Sequence, residues 1–400
     1  MLAATGMLLS SLASGLRQAR TFARVIRTQG PAARRETGKS IAAQAAEIVA
    51  LRRGVGRLGA DEYYQYRLYD DRRFTWEQKK QFLGRWMEDG LVPILKETGW
   101  LGLANDKVIA YAFLRGLGFP IPEPYAVYHA WRHCGGIPVH RTKAALEQAV
   151  RTLGRSFVAK PVNGMWGRNV TAVRAYDPSR DAVVLTNGSV LGVEALVERI
   201  DQVDEMGGML LQELLAPHPS ILERCGERIC SVRMVTVIDQ RGPRLIATVW
   251  KVATGGSMAD NYWEPGNLIA PIDPESGVVG RTFTGLGLNI RHVDTHPDTG
   301  RLLPGFELPD WRQAVELCLS ATGAIPRLPM QAWDIALTSR GPVLLEVNVN
   351  GGMRLPQLCA EAGLLRGEFA TFLSRFGFPR PLRDGRRPSQ AGHTHAHGHN

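Results

Sequence analysis

Lysine is scarce in this chain: the 48 basic residues include only eight lysines, the rest being arginine. Two of those few lysines fall in motif positions. Long apolar runs are lacking too. No stretch of eighteen apolar residues occurs, which excludes a hydropathy-type transmembrane helix. Cys134, Cys225, Cys230, Cys318 and Cys359 are odd in number and have no CxxC spacing. That argues against a disulfide framework or a zinc site and leads us to expect buried thiols in a reducing cytoplasm. Zinc patterns, basic repeats and interleaved aromatic and basic residues are absent, so no nucleic-acid module is expected. The net charge of +10 then suits small anionic substrates such as nucleotides. The Walker A pattern is missing, as is any convincing Ser-His-Asp or Cys-His arrangement. Residues 1–35 hold six arginines and no acid. Their basic residues follow the apolar stretch Met1 to Leu16 rather than precede it, which argues against a secretory signal. Two readings of this segment stay open: a basic amphipathic helix on an anionic membrane surface, or a basic helix that is packed or poorly ordered.

What is present fits a globular chain of two or three domains, 44% hydrophobic and 22% charged. Residues 40–100 read as helical. Ile41, Ala45, Ile48 and Leu51 recur at helical spacing, and Thr75 with Gln78 forms a capping pattern. The cluster Tyr63, Tyr64, Tyr66 and Tyr69 is expected in the core. Asn105-Asp106-Lys107 starts a helix over Val108 to Leu117, closed by Gly118. Helices are also predicted over Ala144 to Leu153, Trp311 to Thr322 and 361–376. Strands are predicted at Phe157 to Pro161, Val170 to Val173, Met209 to Leu215, Ile229 to Ile238 and Leu245 to Val252. From Arg380 onward the chain is a Pro/Arg/His-rich tail with alternating His393, His395, His397 and His399, expected to be disordered.

The most informative stretch is Trp333 to Gly352, which reads as a β-hairpin. Asp334, Ala336 and Thr338 alternate onto one face, and Glu346 with Asn348 onto one face of the return strand. A three-residue loop, 339–341, would set Thr338 opposite Pro342 and Asp334 opposite Glu346. Two carboxylates so placed, with Cβ atoms roughly 5 Å apart, repel unless a positive charge lies between them. A divalent cation such as Mg²⁺ would serve, as it takes carboxylate and amide oxygens along with substrate phosphates. An ordinary solvent-facing edge hairpin is the alternative from this stretch alone. Upstream, Lys160 closes a strand just before the glycine-containing loop Asn163 to Asn169. There backbone N–H groups could approach a phosphate. Arg233, within an apolar strand, calls for an anionic partner.

In order, these features are Lys107 in NDK, Lys160 in FVAKP with NGMWGRN after it, Gln212-Glu213 in LLQELL, then Arg233 and Lys251. Asp334 in WDIALT and Glu346-x-Asn348 complete the series. The series resembles the ATP-grasp superfamily over roughly residues 100–375. Within it, YYQYRL, LANDK, APHP, SVRMVTV and ADNYWEPG look most like the sugar-transfer-associated ATP-grasp proteins, related to glutamate ligase-like sequences. Two departures fall on the substrate side. No Asn stands beside Ser231, and Trp263-Glu264-Pro265-Gly266 occupies the place of a glycine pair.

The resemblance implies an α+β chain in which two ATP-grasp subdomains, 101–205 and 206–380, clasp ATP. They would follow a basic, mainly helical region at 1–100 and precede the tail at 381–400. It implies that Lys107, Lys160, Asn163, Gly164 and Gly167 hold ATP phosphates, and that Gln212, Glu213 and Leu214 line the adenine hinge. Asp334, Glu346 and Asn348 would bind Mg²⁺ or Mn²⁺. Arg233 and Lys251 would neutralise the γ-phosphate or an acyl phosphate, with Asp260 and Asn261 on the substrate side. The implied activity is carboxylate–amine ligation in cell-surface polysaccharide biosynthesis, in the cytoplasm or at the inner face of the membrane. Phosphoryl transfer to a sugar hydroxyl, or a non-catalytic nucleotide-binding scaffold, are the rivals.

Overall fold

Fourteen strands form two seven-stranded sheets in the computed structural model, which describes residues 2–378 except 96–97, 165–166, 204–206 and 350. The histidine-rich tail and Met165-Trp166 of the glycine loop therefore lie outside the described residues.

The first sheet comprises β1 (Pro124–Tyr128), β2 (Val139–His140), β3 (Phe157–Pro161), β4 (Thr171–Asp177), β5 (Ala182–Leu185), β6 (Val190–Gly192) and β7 (Met209–Glu213). Their order is β2-β1-β7-β3-β4-β5-β6, antiparallel except for the β1–β2 pair. Helices Lys143–Thr152 and Val193–Asp201 bury Leu146, Val150, Leu196 and Ile200 in the core of this half.

The second sheet comprises β8 (Val232–Asp239), β9 (Gly242–Val252), β10 (Leu268–Pro271), β11 (Phe283–Thr284), β12 (Arg291–His292), β13 (Met330–Thr338) and β14 (Gly341–Asn348). It is antiparallel throughout, in the order β12-β11-β10-β9-β8-β13-β14. Alternation sorts its two faces. Trp250, Trp333 and Met234 join the core that includes Ala314 and Cys318 of helix Trp311–Gly323. Val249, Ile269 and Phe283 join the aromatic cluster of the N-terminal region.

That region is helical, as its spacing predicts. Ser40 caps helix Ile41–Arg53, and Thr75 with Gln78 forms a capping box. Tyr63, Tyr64 and Tyr69 are fully buried and Tyr66 nearly so. Residues 2–37 form one helix, whose Ile26 and Ala33 pack into the same cluster. The stretch 361–376 is only partly helical: the chain forms Arg354–Ala360 and Gly367–Ser374, separated where Glu361 takes a left-handed φ of 46°. The five cysteines are free and buried. Among the described residues no helix is long and apolar enough to cross a membrane.

The hairpin turn is shorter than its sequence predicts. Ser339 and Arg340 form a two-residue turn, so Thr338 pairs with Gly341 and Leu337 with Pro342. That register alone would set Asp334 opposite Leu345. A bulge beside Asp334 shifts the pairing back by one, and Asp334 faces Glu346 after all. Neither is β13 a solvent-facing edge, since all nine of its residues are buried; β14 is the edge.

Candidate nucleotide and metal site

Strand pairing brings the charged residues together. Arg233 of β8 lies opposite Asp334 of β13, which lies opposite Glu346 of β14. Directly opposed residues share a face, so the three form a row. Arg233 grips Asp334 through two parallel bonds, Nε to Oδ1 at 2.8 Å and Nη2 to Oδ2 at 2.7 Å. Lys251 of β9 donates to the same Oδ2 at 3.0 Å and lies 3.3 Å from Asp260 Oδ1. Asp260 is held by the backbone N–H of Ser231 at 2.6 Å. Burial would raise the Asp334 carboxyl, but Arg233 and Lys251 outweigh it and hold the group well below the usual carboxylate range. Burial likewise opposes the charge on Lys251, and Asp260 with Asp334 more than compensates. The positive charge between the opposed carboxylates is therefore supplied in part by the protein's own cations. Arg233 Nη2 is also 4.0 Å from Glu346.

Lys107 and Lys160 arrive from the other half. Asp106 caps helix Lys107–Gly116 through the N–H groups of Val108 and Ile109, and Arg132 Nη2 binds both of its oxygens. Lys107 Nζ donates to Gly164 O at 2.8 Å and lies 3.8 Å from Glu346 Oε2. One turn further along the helix, Tyr111 forms a hub. It accepts from Lys160 Nζ at 3.0 Å and reaches Leu345 O at 2.9 Å and Gln212 Oε1 at 3.1 Å. Sequence reasoning missed Tyr111; its position four residues after Lys107, on the same helix face, was the signal available. Burial and the neighbouring Lys107 push the Lys160 ammonium down to about 7.

That depression has a measurable consequence. A bound phosphate would restore the charge on Lys160, so nucleotide binding should take up about one proton at about pH 8 and almost none at about pH 6. Calorimetry in buffers of different ionisation enthalpy measures this. The uptake should vanish in Lys160→Met, and pH-independent uptake in wild type would contradict the assignment. Without ligand the sign runs the same way. Between the folded value and the higher unfolded one, the unfolded chain binds the extra proton, so stability rises with pH across that window.

Glu346 is the more open carboxylate, half-exposed, with Oε1 accepting from Asn348 Nδ2 at 3.1 Å. Two glycines fix the surroundings. Gly352 has a left-handed φ of 59°, and a Cβ there would sit 2.7 Å from Arg233 Nη1. Gly167, φ 65°, would bring a Cβ to 3.0 Å from the Ala259 Cβ, so the glycine loop lies directly on the loop carrying Asp260 and Asn261. Asn261 is engaged in its own turn, Oδ1 accepting from Trp263 N at 3.3 Å. Asn163 is exposed at the start of the glycine loop.

Gln212, Glu213 and Leu214, expected to line the adenine hinge, lie at the end of β7. Gln212 is buried against Tyr111. Glu213 turns away from the charged row to bind Arg340 at 2.9 and 2.7 Å and to accept from Glu123 N. Leu214 is where the backbone leaves the sheet. A second residue missed in the sequence is Glu88, buried in the N-terminal region. It accepts from Met353 N at 3.1 Å and from Gly352 N, fixing the loop that packs on Arg233. Burial pushes its carboxyl up to about 7 despite those donors.

The site thus gathers Lys107, Lys160, Arg233 and Lys251 around Asp260, Asp334 and Glu346. Two subdomains meeting over such a row define an ATP-grasp protein. The sugar-transfer-associated ATP-grasp family matches residues 101–370, and the chain belongs to it. No curated protein matches the sequence significantly. Among solved structures, D-cycloserine synthetase DcsG is similar at 17% identity, covering 70% of this chain and 73% of its own, with a TM-score of 0.39. The VanG D-Ala:D-Ser ligase of Enterococcus faecalis is similar at 14% identity, covering 70% and 63%, with a TM-score of 0.38. The biotin carboxylase domain of Hydrogenobacter thermophilus 2-oxoglutarate carboxylase, solved with MgADP and bicarbonate, is similar at 10% identity with a TM-score of 0.36. The match covers 64% of this chain and spans 42% of that one.

Proposed function

We propose that the protein is an ATP- and Mg²⁺-dependent carboxylate–amine ligase acting in cell-surface polysaccharide biosynthesis or modification. The observation that carries this reading is the convergence of Lys107, Lys160, Arg233 and Lys251, from four separate segments, on one carboxylate row. Phosphoryl transfer needs positioning and charge neutralisation more than a nucleophile from the protein, and this row offers those parts. A substrate carboxylate oxygen attacks the γ-phosphorus of ATP, the bond to the β-phosphate oxygen breaks, and an acyl phosphate and ADP form. An amine then attacks the acyl carbon, phosphate departs, and the amide remains once the amine has lost its proton.

Lys107 and Lys160 hold the phosphates under the glycine loop, with Asn163, Gly164 and Gly167 supplying loop backbone. Gln212, Glu213 and Leu214 border the adenine. Arg233 and Lys251 meet the transferring phosphoryl group. Glu346 and Asn348 fit a magnesium ion, which needs only one or two protein carboxylates when phosphates complete its shell. Among the described residues no three His, Cys, Asp or Glu side chains are grouped to hold a metal by themselves. Asp334 would add a further carboxylate ligand, since Arg233 and Lys251, which hold it here, are the cations expected to meet phosphate. A magnesium ion held there would supply charge neutralisation at the phosphates.

The test is product analysis. Release of ADP and phosphate only when both a carboxylate, such as a sugar acid, and an amine are present supports ligation. ADP release with a sugar hydroxyl alone would replace it by phosphoryl transfer. The basic N-terminal helix would hold the enzyme at an anionic membrane surface. Anionic liposomes should co-sediment the full chain and not a chain lacking residues 1–35; equal sedimentation refutes this.

A further inference from the structure

A cavity of about 60 Å³ lies where residues 65–74 of the helical region meet the β11–β12 edge and helix Arg354–Ala360. Its polar lining includes Gln65, Arg67, Arg73, Arg291, His292 and Glu361, over an aromatic wall that includes Phe82 and Phe283. None of these residues belongs to the charged row.

Two buried donors here have no partner. Gln65 is only 5% exposed; its Oε1 accepts from Gly287 N at 2.8 Å, while its Nε2 is unpaired. Arg67 donates from Nη2 to the carbonyls of Leu288 and Ile290, at 3.5 and 3.3 Å, but its buried Nε has no acceptor. Native proteins seldom leave buried donors unpaired, and each such group calls for an explanation. The charge of the lining supplies one. Three guanidiniums line the cavity with one carboxylate, Glu361, which Arg73 holds, and Arg67 Nη1 lies 3.4 Å from Glu36 outside the lining. Arg291 is exposed and makes no ion pair among the described residues.

Size narrows the occupant. About 60 Å³ exceeds the roughly 10–15 Å³ that a single water needs and gives room for a small anionic group. The cavity is also separate from the charged row. Lys251, Ile269, Phe283 and His292 pair in sequence across β9 to β12, so His292 is about 14 Å from Lys251 at the usual strand spacing. Ile269 and Phe283, between them, are buried in the aromatic core.

We propose that this cavity is a second ligand site, which binds a small oxyanion, a carboxylate or phosphate group, between the helical region and the β11–β12 edge. The oxyanion accepts from Gln65 Nε2 and Arg67 Nε and is neutralised by Arg291. Its ligand ties residues 65–67 to β12 and to the end of the helix that starts beside Gly352.

Calorimetric titration of the full chain with inorganic phosphate and, separately, with D-glucuronate tests this, in wild type and in a Lys160→Met background that weakens phosphate binding at the charged row. Saturable binding of either anion should survive Lys160→Met. It should weaken at least about tenfold in Gln65→Leu, which removes the orphan donor, and in Arg291→Ser, an exposed position where folding is not at stake. Phosphate binding alone identifies a phosphate site, and glucuronate binding alone a carboxylate site. Absence of binding by both anions, or binding unchanged by Gln65→Leu and Arg291→Ser, overturns the proposal.

Discussion

Replacing Asp334 by alanine is expected to destabilise the protein by roughly 3–5 kcal/mol, the cost of leaving buried cations uncompensated. Among the described residues the next anion to Arg233 is Glu346, 4.0 Å away. Lys251 would keep Asp260. The loss should therefore fall mainly on Arg233, and a second substitution should recover part of it. Arg233→Met combined with Asp334→Leu is expected to be more stable than Asp334→Ala, because an apolar pair of similar volume replaces a broken ion pair. Urea unfolding of the three proteins measures both effects. A midpoint for Asp334→Ala close to wild type would show that the row holds itself together by other means.

Glu346→Ala should behave in the opposite way. Its side chain is half-exposed and its ion-pair distances are 3.8 and 4.0 Å, so stability should change by less than about 1 kcal/mol. Mg²⁺-dependent ADP release should fall at least roughly a hundredfold on the proposed role of Glu346 in holding the ion. Unfolding midpoints and turnover measured on the same preparation separate the two roles. Turnover like wild type in Glu346→Ala would remove the metal assignment. The contrast between two facing carboxylates, one structural in its largest effect and one chemical, follows from who holds their oxygens.

Much of this was readable in the sequence, for identifiable reasons. The cap at Thr75 and the helix start at Asp106 are local hydrogen-bonding devices, and local signals survive without a structure. The face-to-face placement of Asp334 and Glu346 was also readable, but through two differences that cancelled: a turn one residue shorter than expected and a bulge beside Asp334. Hidden from the sequence were the contacts between distant segments. Nothing near Tyr111 says that its hydroxyl will meet Lys160, Gln212 and a carbonyl of β14 at once. The partners of Arg233 and Glu213 were equally invisible, because register between strands a hundred residues apart is set by packing. Glu88 belongs to no motif read from the sequence. Its role depends on the close approach of Gly352, which only the folded chain creates.

The Glu88 contact changes what counts as the working unit. The family match begins at residue 101, yet the loop against Arg233 is anchored by a side chain upstream of that point, and Tyr63 and Tyr64 share a core with Val249 and Ile269. The edge of the recognisable homology is therefore not a seam along which this molecule could be cut. A fragment starting at residue 101 would keep the charged row while losing Glu88 and the aromatic core packed against its sheet, and an inactive fragment of that kind would say nothing about the row itself.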